Sequence, residues 1–292
     1  MIIMNFNLGL CLAGGGVKGA AHIGAIKAIE EAGLKINYIA GTSSGSIVAT
    51  LYAAGFSTDE MYLIFKKYCK KIKYVDFFNI IKLIFGLIFS GKIIIDGLNS
   101  GIQLEKLINK ECGKKNIKNI SDISMPLLIP SVDMATGNVI CFTSKMIRKE
   151  FEDNIIFINN ANIGKAVRGS CSYPVIFSPC KYENITLIDG GIRENVPWKE
   201  IKLLGADKVL NVTFDTEVDK DCCKNLIDVA GRSLELLCRE LSNYEMEGAE
   251  YTVKIKSPKM GLLDMKQIDD LYNIGYEQTK EYLKKLTKNN FE

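Results

Sequence analysis

The chain is poor in the residue types that build metal sites and histidine-based active sites. Its 292 residues include one histidine, one tryptophan and six prolines. The nine cysteines are scattered without a C-x-x-C pair, which argues against a zinc site or a disulfide framework and favours reduced thiols. We therefore expect no metal and no cofactor.

Net charge and targeting signals are also nearly absent. The 37 basic and 34 acidic residues leave a net charge of +3, too small to indicate nucleic acid as a partner. The N-terminus has neither a basic region nor a cleavage-site pattern, so it resembles a first strand rather than a signal peptide. We expect a cytoplasmic protein whose contact with membranes, if it makes any, is peripheral and transient.

A long uninterrupted apolar run is missing as well. Residues 77–95 (FFNIIKLIFGLIFSGKIII) come nearest, but Asn79, Lys82, Gly86, Ser90, Gly91 and Lys92 interrupt them. A membrane-spanning helix needs about 20 apolar residues, so the segment predicts a buried helix or a cap over residues 72–100. The functional alternative, compatible with the first, is an apolar lid that touches lipid or lines an acyl-chain channel.

Strand-like and helix-like patterns alternate along the chain. Apolar runs predict strands at residues 8–13, 36–40, 126–132, 139–143, 186–188 and 208–214, and residues 133–138 predict a hairpin turn. Helical patterns cover residues 17–32, 44–54 and 57–71, and most of the chain from residue 222 onward. The alternation predicts an α/β fold in one domain over residues 1–292, with core blocks within about 5–205 and a mostly helical part over 215–292.

Two glycine-marked turns near the N-terminus carry the chemical signal. Gly14 to Gly19 follow the first predicted strand and offer backbone N–H groups at a helix N-terminus, which suits an anion. The second turn, Gly41-Thr42-Ser43-Ser44-Gly45, is a G-x-S-x-G elbow between a strand and a helix. The pattern predicts Ser43 as a nucleophile and an oxyanion hole in the first turn, with structural support from Gly19, Gly41 and Gly45.

The glycine loop has alternative interpretations. G-x-G-x-x-G is also the dinucleotide fingerprint, but that site needs an acidic residue about 20 positions further on. The second predicted strand instead runs directly into Gly41, and Glu30 and Glu31 come too early. A tight turn with glycines kept only for close packing is a further alternative. Lys18 opposes the helix dipole, which suggests contact with a substrate carboxylate or phosphate, the alternative being a solvated lysine.

A serine nucleophile needs a base, and the single histidine is poorly placed. His22 lies inside the helix after the glycine loop and is expected to pack there, which argues against a Ser-His-Asp triad. Asp189 is the best carboxylate, because it ends a predicted strand in the sequence Asp189-Gly190-Gly191. The alternative for Asp189 is an Asp-Gly turn. Asp133 is expected to cap the hairpin and Asp96 to form a turn.

Four blocks, in order, resemble the patatin-like phospholipases. They are the glycine loop, the serine elbow, Gly169-Ser170-Cys171-Ser172-Tyr173-Pro174 with Phe177 and Pro179, and Asp189-Gly190-Gly191 with Asn195 and Pro197. The resemblance extends to the turn at residues 133–137 and to residues 261–276. It implies a three-layer α/β/α sandwich with a mainly parallel sheet.

The resemblance also implies an activity, that of a lipid acyl hydrolase acting on phospholipids or other fatty acyl esters. Ser43 would attack the ester, Asp189 would take its proton, and the loop N–H groups, from among Gly14, Gly15 and Gly16, would hold the oxyanion. Lys18 stands where the family often has arginine, and calcium is not implied. An acyltransferase, or a non-catalytic lipid- or acyl-CoA-binding module, are the alternatives.

Overall fold

A mixed β-sheet forms the centre of the computed structural model, which describes residues 6–71, 81, 85, 89, 95–147, 154–216, 226–257 and 267–288. The strands in these ranges are β1 (Leu8–Leu12), β2 (Ile36–Gly41), β3 (Leu127–Asp133), β4 (Val139–Thr143), β5 (Ile155–Ile158), β6 (Cys180–Tyr182), β7 (Ile185–Asp189), β8 (Lys208–Thr216) and β9 (Tyr251–Ser257). The helices are α1 (Gly19–Glu31), α2 (Ser44–Ala53), α3 (Thr58–Lys71), α4 (Ile102–Gly113), α5 (Ile163–Ser170), α6 (Trp198–Leu203), α7 (Leu226–Glu245) and α8 (Ile268–Lys288).

The sheet is mainly parallel, as expected. Its main path runs β5-β4-β3-β2-β1-β8-β9, with β7 beside β3 and β6 beside β7. Five strand pairs are parallel, and the pairs β3–β4, β3–β7 and β6–β7 are antiparallel. Strand β1 lies between β2 and β8, so the chain passes from β1 to β2 on one side and adds β8 later on the other side. Ligands of open α/β sheets bind beyond the carboxyl ends of strands at such a switch point.

Strands β2 and β7 share one edge of β3 and meet head to head. Ala40 of β2 pairs with Leu128 in parallel, whereas Asp189 of β7 pairs with Ser131 in the antiparallel sense. Strand β4 occupies the other edge of β3 over Leu128 to Val132. The carboxyl ends of β2 and β7 therefore point toward each other, and the two loops that follow them adjoin.

Apolar side chains fill both faces of the sheet. Leu8, Leu10 and Leu12 of β1 belong to the larger core, which includes residues of α1, α2, α3 and α8. Cys11 and Ala13 belong to a smaller core that includes Ile201 of α6. Because neighbouring strand residues point to opposite faces, this alternation places helices on both sides of the sheet. The three-layer α/β/α architecture is confirmed.

Most expected elements are found, with some differences in the second half of the chain. The predicted strands and the first three helices match within a few residues, and Ser57 with Glu60 forms a capping box at the start of α3. Strand β9 was not expected in the C-terminal part. Strand β9 lies at the edge of the sheet, and its exposed Lys254 and Lys256 alternate with buried Val253 and Ile255, a pattern typical of edge strands.

The predicted cap lies almost entirely outside the described residues. Of the apolar segment 77–95, the structure describes Ile81, Phe85, Phe89 and Ile95. Ile81, Phe85 and Phe89 are exposed, with 47%, 56% and 72% of their surface accessible. No helix within the described ranges is both long enough and apolar enough to cross a bilayer.

Helices α1 and α8 approach each other through glycines. A β-carbon on Gly24 would lie 2.0 Å from the carbonyl oxygen of Tyr272, and one on Gly275 would lie 2.0 Å from the carbonyl oxygen of Ala21. We therefore predict that Gly24→Ala lowers the free energy of unfolding by about 1–3 kcal/mol, since overpacking outweighs the better helix propensity of alanine. Chemical denaturation measures the change.

Gly231 of α7 provides the matched control, because a β-carbon there would meet no atom within 4 Å. Gly231→Ala should raise the free energy of unfolding by about 0.5–1 kcal/mol. A stabilising effect of Gly24→Ala would contradict the proposed close packing of α1 and α8.

Candidate active site

The G-x-S-x-G sequence forms a strained turn between β2 and α2. Ser43 at its apex has φ 51° and ψ −123°, a conformation that costs a non-glycine residue about 1–3 kcal/mol. The two glycines make the turn sterically possible. A β-carbon on Gly41 would lie 2.3 Å from the carbonyl oxygen of Gly45, and one on Gly45 would lie 2.2 Å from that of Leu12.

Hydrogen bonds from a distant segment hold this turn. The N–H of Ser43 donates to Oγ of Ser170, at 3.0 Å, and Ser170 is fully buried at the end of α5. Oγ of Ser46 donates to the carbonyl oxygen of Ser43 at 2.6 Å, so Ser46 supports the helix start. The Gly169–Pro174 block thus contacts the serine elbow directly, a contact that its sequence alone did not predict.

Asp189 ends β7 and lies in the protein interior. Its N–H donates to the carbonyl oxygen of Ser172 at 3.0 Å. Its Oδ1 accepts the N–H of Gly191 at 2.8 Å, which caps the 3-10 turn Gly190–Ile192. Next to it, a β-carbon on Gly190 would lie 2.4 Å from the carbonyl oxygen of Pro130, so this position also requires glycine.

The carboxyl group of Asp189 is 1% exposed, and burial raises its pKa from 3.8 to about 7. Hydrogen bonding by the Ser43 side chain and by the Gly191 N–H opposes this rise. Oδ2 is buried and has no hydrogen-bond partner among the described residues. The structure therefore brings the side chains of Ser43 and Asp189 together, although 146 positions separate them in the chain.

The glycine loop lies beside Ser43 and exposes some of its N–H groups. The N–H of Gly14 donates to Oδ1 of Asn195 at 2.8 Å and is already occupied. The N–H groups of Gly15 and Gly16 make no hydrogen bond within the described part of the chain. The ring of Phe214 covers Gly15, where a β-carbon would lie 2.7 Å from it. The N–H groups of Gly15 and Gly16 are thus among those available to a ligand.

Lys18 is buried just before α1, so the alternative of a solvated lysine does not hold, while its expected contact with a substrate anion stays a prediction. Its side chain lies over the ring of Phe214, 5.7 Å from the centroid, and only 5% of the residue is exposed. Burial lowers the pKa of its ammonium group, and the negative charge of Glu235 partly opposes that shift. Lys18 and Glu235 both line the cavity described below.

His22 serves the fold beneath the glycine loop. It is fully buried, and its Nε2 donates to the carbonyl oxygen of Ala13 at 2.7 Å. Its ring packs against Phe214 with a centroid distance of 4.7 Å. Burial lowers its pKa to about 4, so the imidazole is neutral at pH 7. This placement agrees with the packing role expected from the sequence.

The two competing aspartates, Asp133 and Asp96, form hydrogen bonds with turn and loop residues. Asp133 accepts hydrogen bonds from the Thr136 hydroxyl at 2.7 Å and from the Ala135 N–H at 3.2 Å, which caps the β3–β4 hairpin. Asp96 accepts the hydroxyl of Ser178 at 2.7 Å. Asp133 therefore has the turn partners that the sequence suggested, whereas Asp96 bonds to a residue 82 positions away, which its sequence did not predict.

A cavity of about 420 Å³ opens at this point of the sheet and contains all the main predicted groups. Its walls combine the glycine loop, the serine elbow and the Asp189 loop with residues of α3, the segment after α5, β8 and α7. The side chains and backbone that line it include Gly14, Gly15, Gly16, Lys18, Ser43, Ile47, Phe65, Tyr68, Tyr173, Ile176, Phe177, Asp189, Gly191, Asn195, Phe214, Glu235, Cys238, Arg239, Ser242 and Met246.

Several of these residues were not predicted from the sequence. Asn195 carried a signal, since it follows the Asp189-Gly190-Gly191 block, but Phe214 and the residues of α7 carried none. Within the described ranges, no cluster of three or more histidine, cysteine or acidic side chains is arranged to hold a metal ion.

Comparison with known proteins identifies the family. The model of the family described as patatin-like phospholipase matches residues 10–201. Lysophospholipase nte1 of Emericella nidulans is 25% identical over 96% of this chain and 18% of its own length. The uncharacterized protein YqhO of Bacillus subtilis is 28% identical over 77% of this chain and 78% of its own length.

The chain therefore spans about a fifth of the length of the fungal lysophospholipase. Among solved structures, VipD from Legionella pneumophila shares the fold, with a TM-score of 0.53 and 16% identity over 97% of this chain and 67% of that one. With two thirds of its sequence matched by the family model, this chain belongs to the patatin-like phospholipase family.

Proposed function

We propose that this protein is a lipid acyl hydrolase that cleaves fatty acyl esters through an acyl-serine intermediate. The observation that carries the proposal is the shared cavity, in which the strained Ser43 and the buried Asp189 lie beside the two available N–H groups of Gly15 and Gly16. Membership of the patatin-like phospholipase family and the similarity to lysophospholipases support it.

The reaction would begin with proton transfer from the Ser43 hydroxyl to Oδ2 of Asp189. The serine oxygen forms a bond to the ester carbonyl carbon, and the N–H groups of Gly15 and Gly16 stabilise the negative charge on the carbonyl oxygen. Asp189 then gives its proton to the departing alcohol. A water molecule then attacks the acyl-serine in the same way, with Asp189 as base, and the fatty acid is released as Asp189 returns the proton to the Ser43 oxygen.

The environment of Asp189 suits this exchange of one proton. A general base works best when its pKa lies near the pH of the reaction, because it must accept and return a proton in each cycle. Burial brings the pKa of Asp189 to about 7. A surface aspartate with a pKa near 4 would be a much weaker base.

The cavity walls suit a substrate with an apolar chain and an anionic head. Phe65, Tyr68, Ile176 and Phe177 provide apolar surface for an acyl chain. Lys18 lies in the same wall beside the glycine loop, and a buried ammonium group interacts strongly with a phosphate or carboxylate. We infer that phospholipids or lysophospholipids are the preferred esters, reached through transient contact with a membrane surface.

We predict that wild-type protein hydrolyses p-nitrophenyl acyl esters and reacts with a fluorophosphonate probe. Ser43→Ala should abolish both, and Asp189→Asn should lower kcat by about 10²–10⁴-fold, as expected for loss of a general base. The rate of the wild type should rise with pH through an apparent pKa near 7, because Asp189 accepts a proton only when ionised.

His22→Gln is the matched control for a histidine mechanism, and a folded His22→Gln variant should stay active. Its inactivation to the level of Ser43→Ala would refute the serine–aspartate assignment. Product analysis with an added alcohol separates hydrolysis from acyl transfer. A wild type that neither cleaves esters nor reacts with the probe would instead be a binding module.

Lys18→Met should discriminate between substrates with and without a negative charge. We expect kcat/KM to fall for a lysophospholipid and to change much less for a monoacylglycerol with the same acyl chain, since only the first carries a phosphate. Steady-state assays of both substrates measure the difference. Equal losses on the two esters would show that Lys18 acts on the fold or the loop rather than on the headgroup.

Asp189→Asn should also stabilise the protein at alkaline pH. The carboxylate ionises with a pKa of 3.8 when solvated and about 7 when buried, so its charge destabilises the folded state increasingly between these values. Asparagine keeps an oxygen acceptor for the Gly191 N–H without that charge. At pH 8 we expect a gain of at most about 4 kcal/mol in the free energy of unfolding, seen as a higher Tm.

The gain should shrink as the pH falls from 7 toward 4, because the wild-type carboxyl group then becomes neutral in the folded state as well. Thermal denaturation at pH 8 and pH 5 tests this sign. A gain that is independent of pH would contradict the electrostatic explanation.

A further inference from the structure

The side chain of Asn195 connects the glycine loop to helix α7. Its Oδ1 accepts the N–H of Gly14 at 2.8 Å, and its Nδ2 donates to Oγ of Ser242 at 2.9 Å. Oγ of Ser242 in turn donates to the carbonyl oxygen of Cys238, at 2.8 Å. The amide orientation follows from this pattern, since only the oxygen can accept from a backbone N–H.

The backbone around Asn195 is held by a single carboxylate of the same helix. The N–H of Asn195 lies 3.0 Å from Oε2 and 3.2 Å from Oε1 of Glu245, and the N–H of Val196 lies 3.2 Å from Oε2. The indole Nε1 of Trp198 donates to the backbone carbonyl of Glu245 at 2.6 Å. Glu245 at the end of α7 thus holds residues 195–198 through both its side chain and its backbone carbonyl.

The position of Glu245 is unfavourable for a carboxylate. Burial and the nearby Glu200 raise its pKa, while the N–H groups of Asn195 and Val196 and the charge of Lys199 oppose that rise. The pKa of Glu194 in the same region is raised as well, by burial and by Glu200 and Glu245. Glu245 forms no ion pair among the described residues. Its contacts with the 195–196 backbone, together with the charge of Lys199, therefore offset its desolvation.

The geometry points to Asn195 as a positioning residue, which we propose holds the glycine loop in the orientation that the reaction needs and is itself held by Ser242 and Glu245 of α7. This inference rests on the function proposed above. Ser242 and Glu245 lie beyond residues 10–201, which the family model matches, so the C-terminal part of the chain would complete the site.

The bond to Gly14 matters because of where that residue lies. Gly14 directly precedes the two proposed oxyanion donors. Its N–H belongs to the peptide group before Gly14, so the bond to Asn195 fixes the orientation of the backbone that leads into Gly15 and Gly16. A β-carbon on Gly14 would lie 2.9 Å from Oδ1 of Asn195 and 3.1 Å from Cβ of Ser43, so the three residues are in close contact. A loop released from Asn195 would place its donors less precisely against the oxyanion, and misplacement by about 1 Å can cost about 100-fold in rate.

The test combines amide hydrogen exchange with kinetics. Asn195→Leu has nearly the same shape but cannot accept the Gly14 N–H. We expect faster exchange of the Gly14 amide, a fall in kcat of about 10–100-fold on p-nitrophenyl esters, a nearly unchanged KM and slower fluorophosphonate labelling. A change in stability alone would not produce this split between kcat and KM in folded enzyme.

Ser242→Ala and Glu245→Ala test the two anchors on α7, and remain informative if Asn195→Leu does not fold. Both should accelerate Gly14 exchange and lower kcat in the same direction. Glu245→Gln retains one oxygen acceptor and should recover part of the loss seen in Glu245→Ala. Glu194→Gln is the matched control. Burial and the neighbouring Glu200 and Glu245 raise the pKa of Glu194 and so favour the neutral form that the amide mimics, and the variant should leave kcat and Gly14 exchange unchanged.

The outcomes separate the two proposals. Unchanged Gly14 exchange in folded Asn195→Leu or Ser242→Ala would overturn the positioning role, whatever the activity. Faster exchange with unchanged kcat would overturn its catalytic relevance. A wild type that cleaves no ester and does not react with the fluorophosphonate would refute the proposed hydrolase, while the exchange data would still decide whether Asn195 orders the loop.

Discussion

The geometry of the candidate site depends on the way β2 and β7 meet along β3. One strand runs parallel to β3 and the other antiparallel, so their carboxyl ends face each other on one sheet edge. Ser43 follows the first strand by two residues, and Asp189 ends the second. Two segments far apart in the chain are thereby brought together by backbone pairing, before any side-chain contact is considered. The same pairing buries Asp189, because the strand end lies inside the sheet region rather than at its rim.

Burial then determines the chemistry of the carboxyl group. A carboxylate without an ion-pair partner in the described residues is desolvated, and its pKa rises to about 7. The Gly191 N–H offsets part of that cost and also fixes the rotation of the carboxyl group. Asp189 is therefore a source of local instability and, in the proposed mechanism, the group that exchanges a proton with Ser43. Active sites commonly combine these properties, since a group stabilised fully in one protonation state is a poor acid or base.

The sequence predicted the parts of this site that local patterns encode. Ser43 lies in an elbow in which Gly41 is required by its contact with Gly45 four residues on, although Gly45 itself is required by the distant Leu12. The hairpin role of Asp133 follows from its neighbours at positions 135–137. Asp189 was predicted because a strand pattern ends there and because the single histidine was badly placed. The fold class followed from the alternation of strands and helices, whereas β9 was missed within a part that is otherwise mostly helical.

Contacts between distant segments could not be predicted in the same way. The bond from Asn195 to the Gly14 N–H spans 181 positions, and the ring that covers Gly15 belongs to Phe214 on β8. Lys18 was expected to bind an anion, yet it lies over the ring of Phe214 and feels the charge of Glu235 on α7, which no pattern near Lys18 indicates. The G-x-G-x-x-G loop illustrates this limit of local patterns. Its glycines alone are compatible with a nucleotide site, an oxyanion hole or a packed turn. Residues from distant segments, such as Asn195, determine which N–H groups of the loop are occupied and which are available. Because the Gly14 N–H is already bound to Asn195, the loop offers fewer donors to a ligand than its sequence suggests. Fewer donors agree better with the single oxyanion of the proposed mechanism than with an extended pyrophosphate.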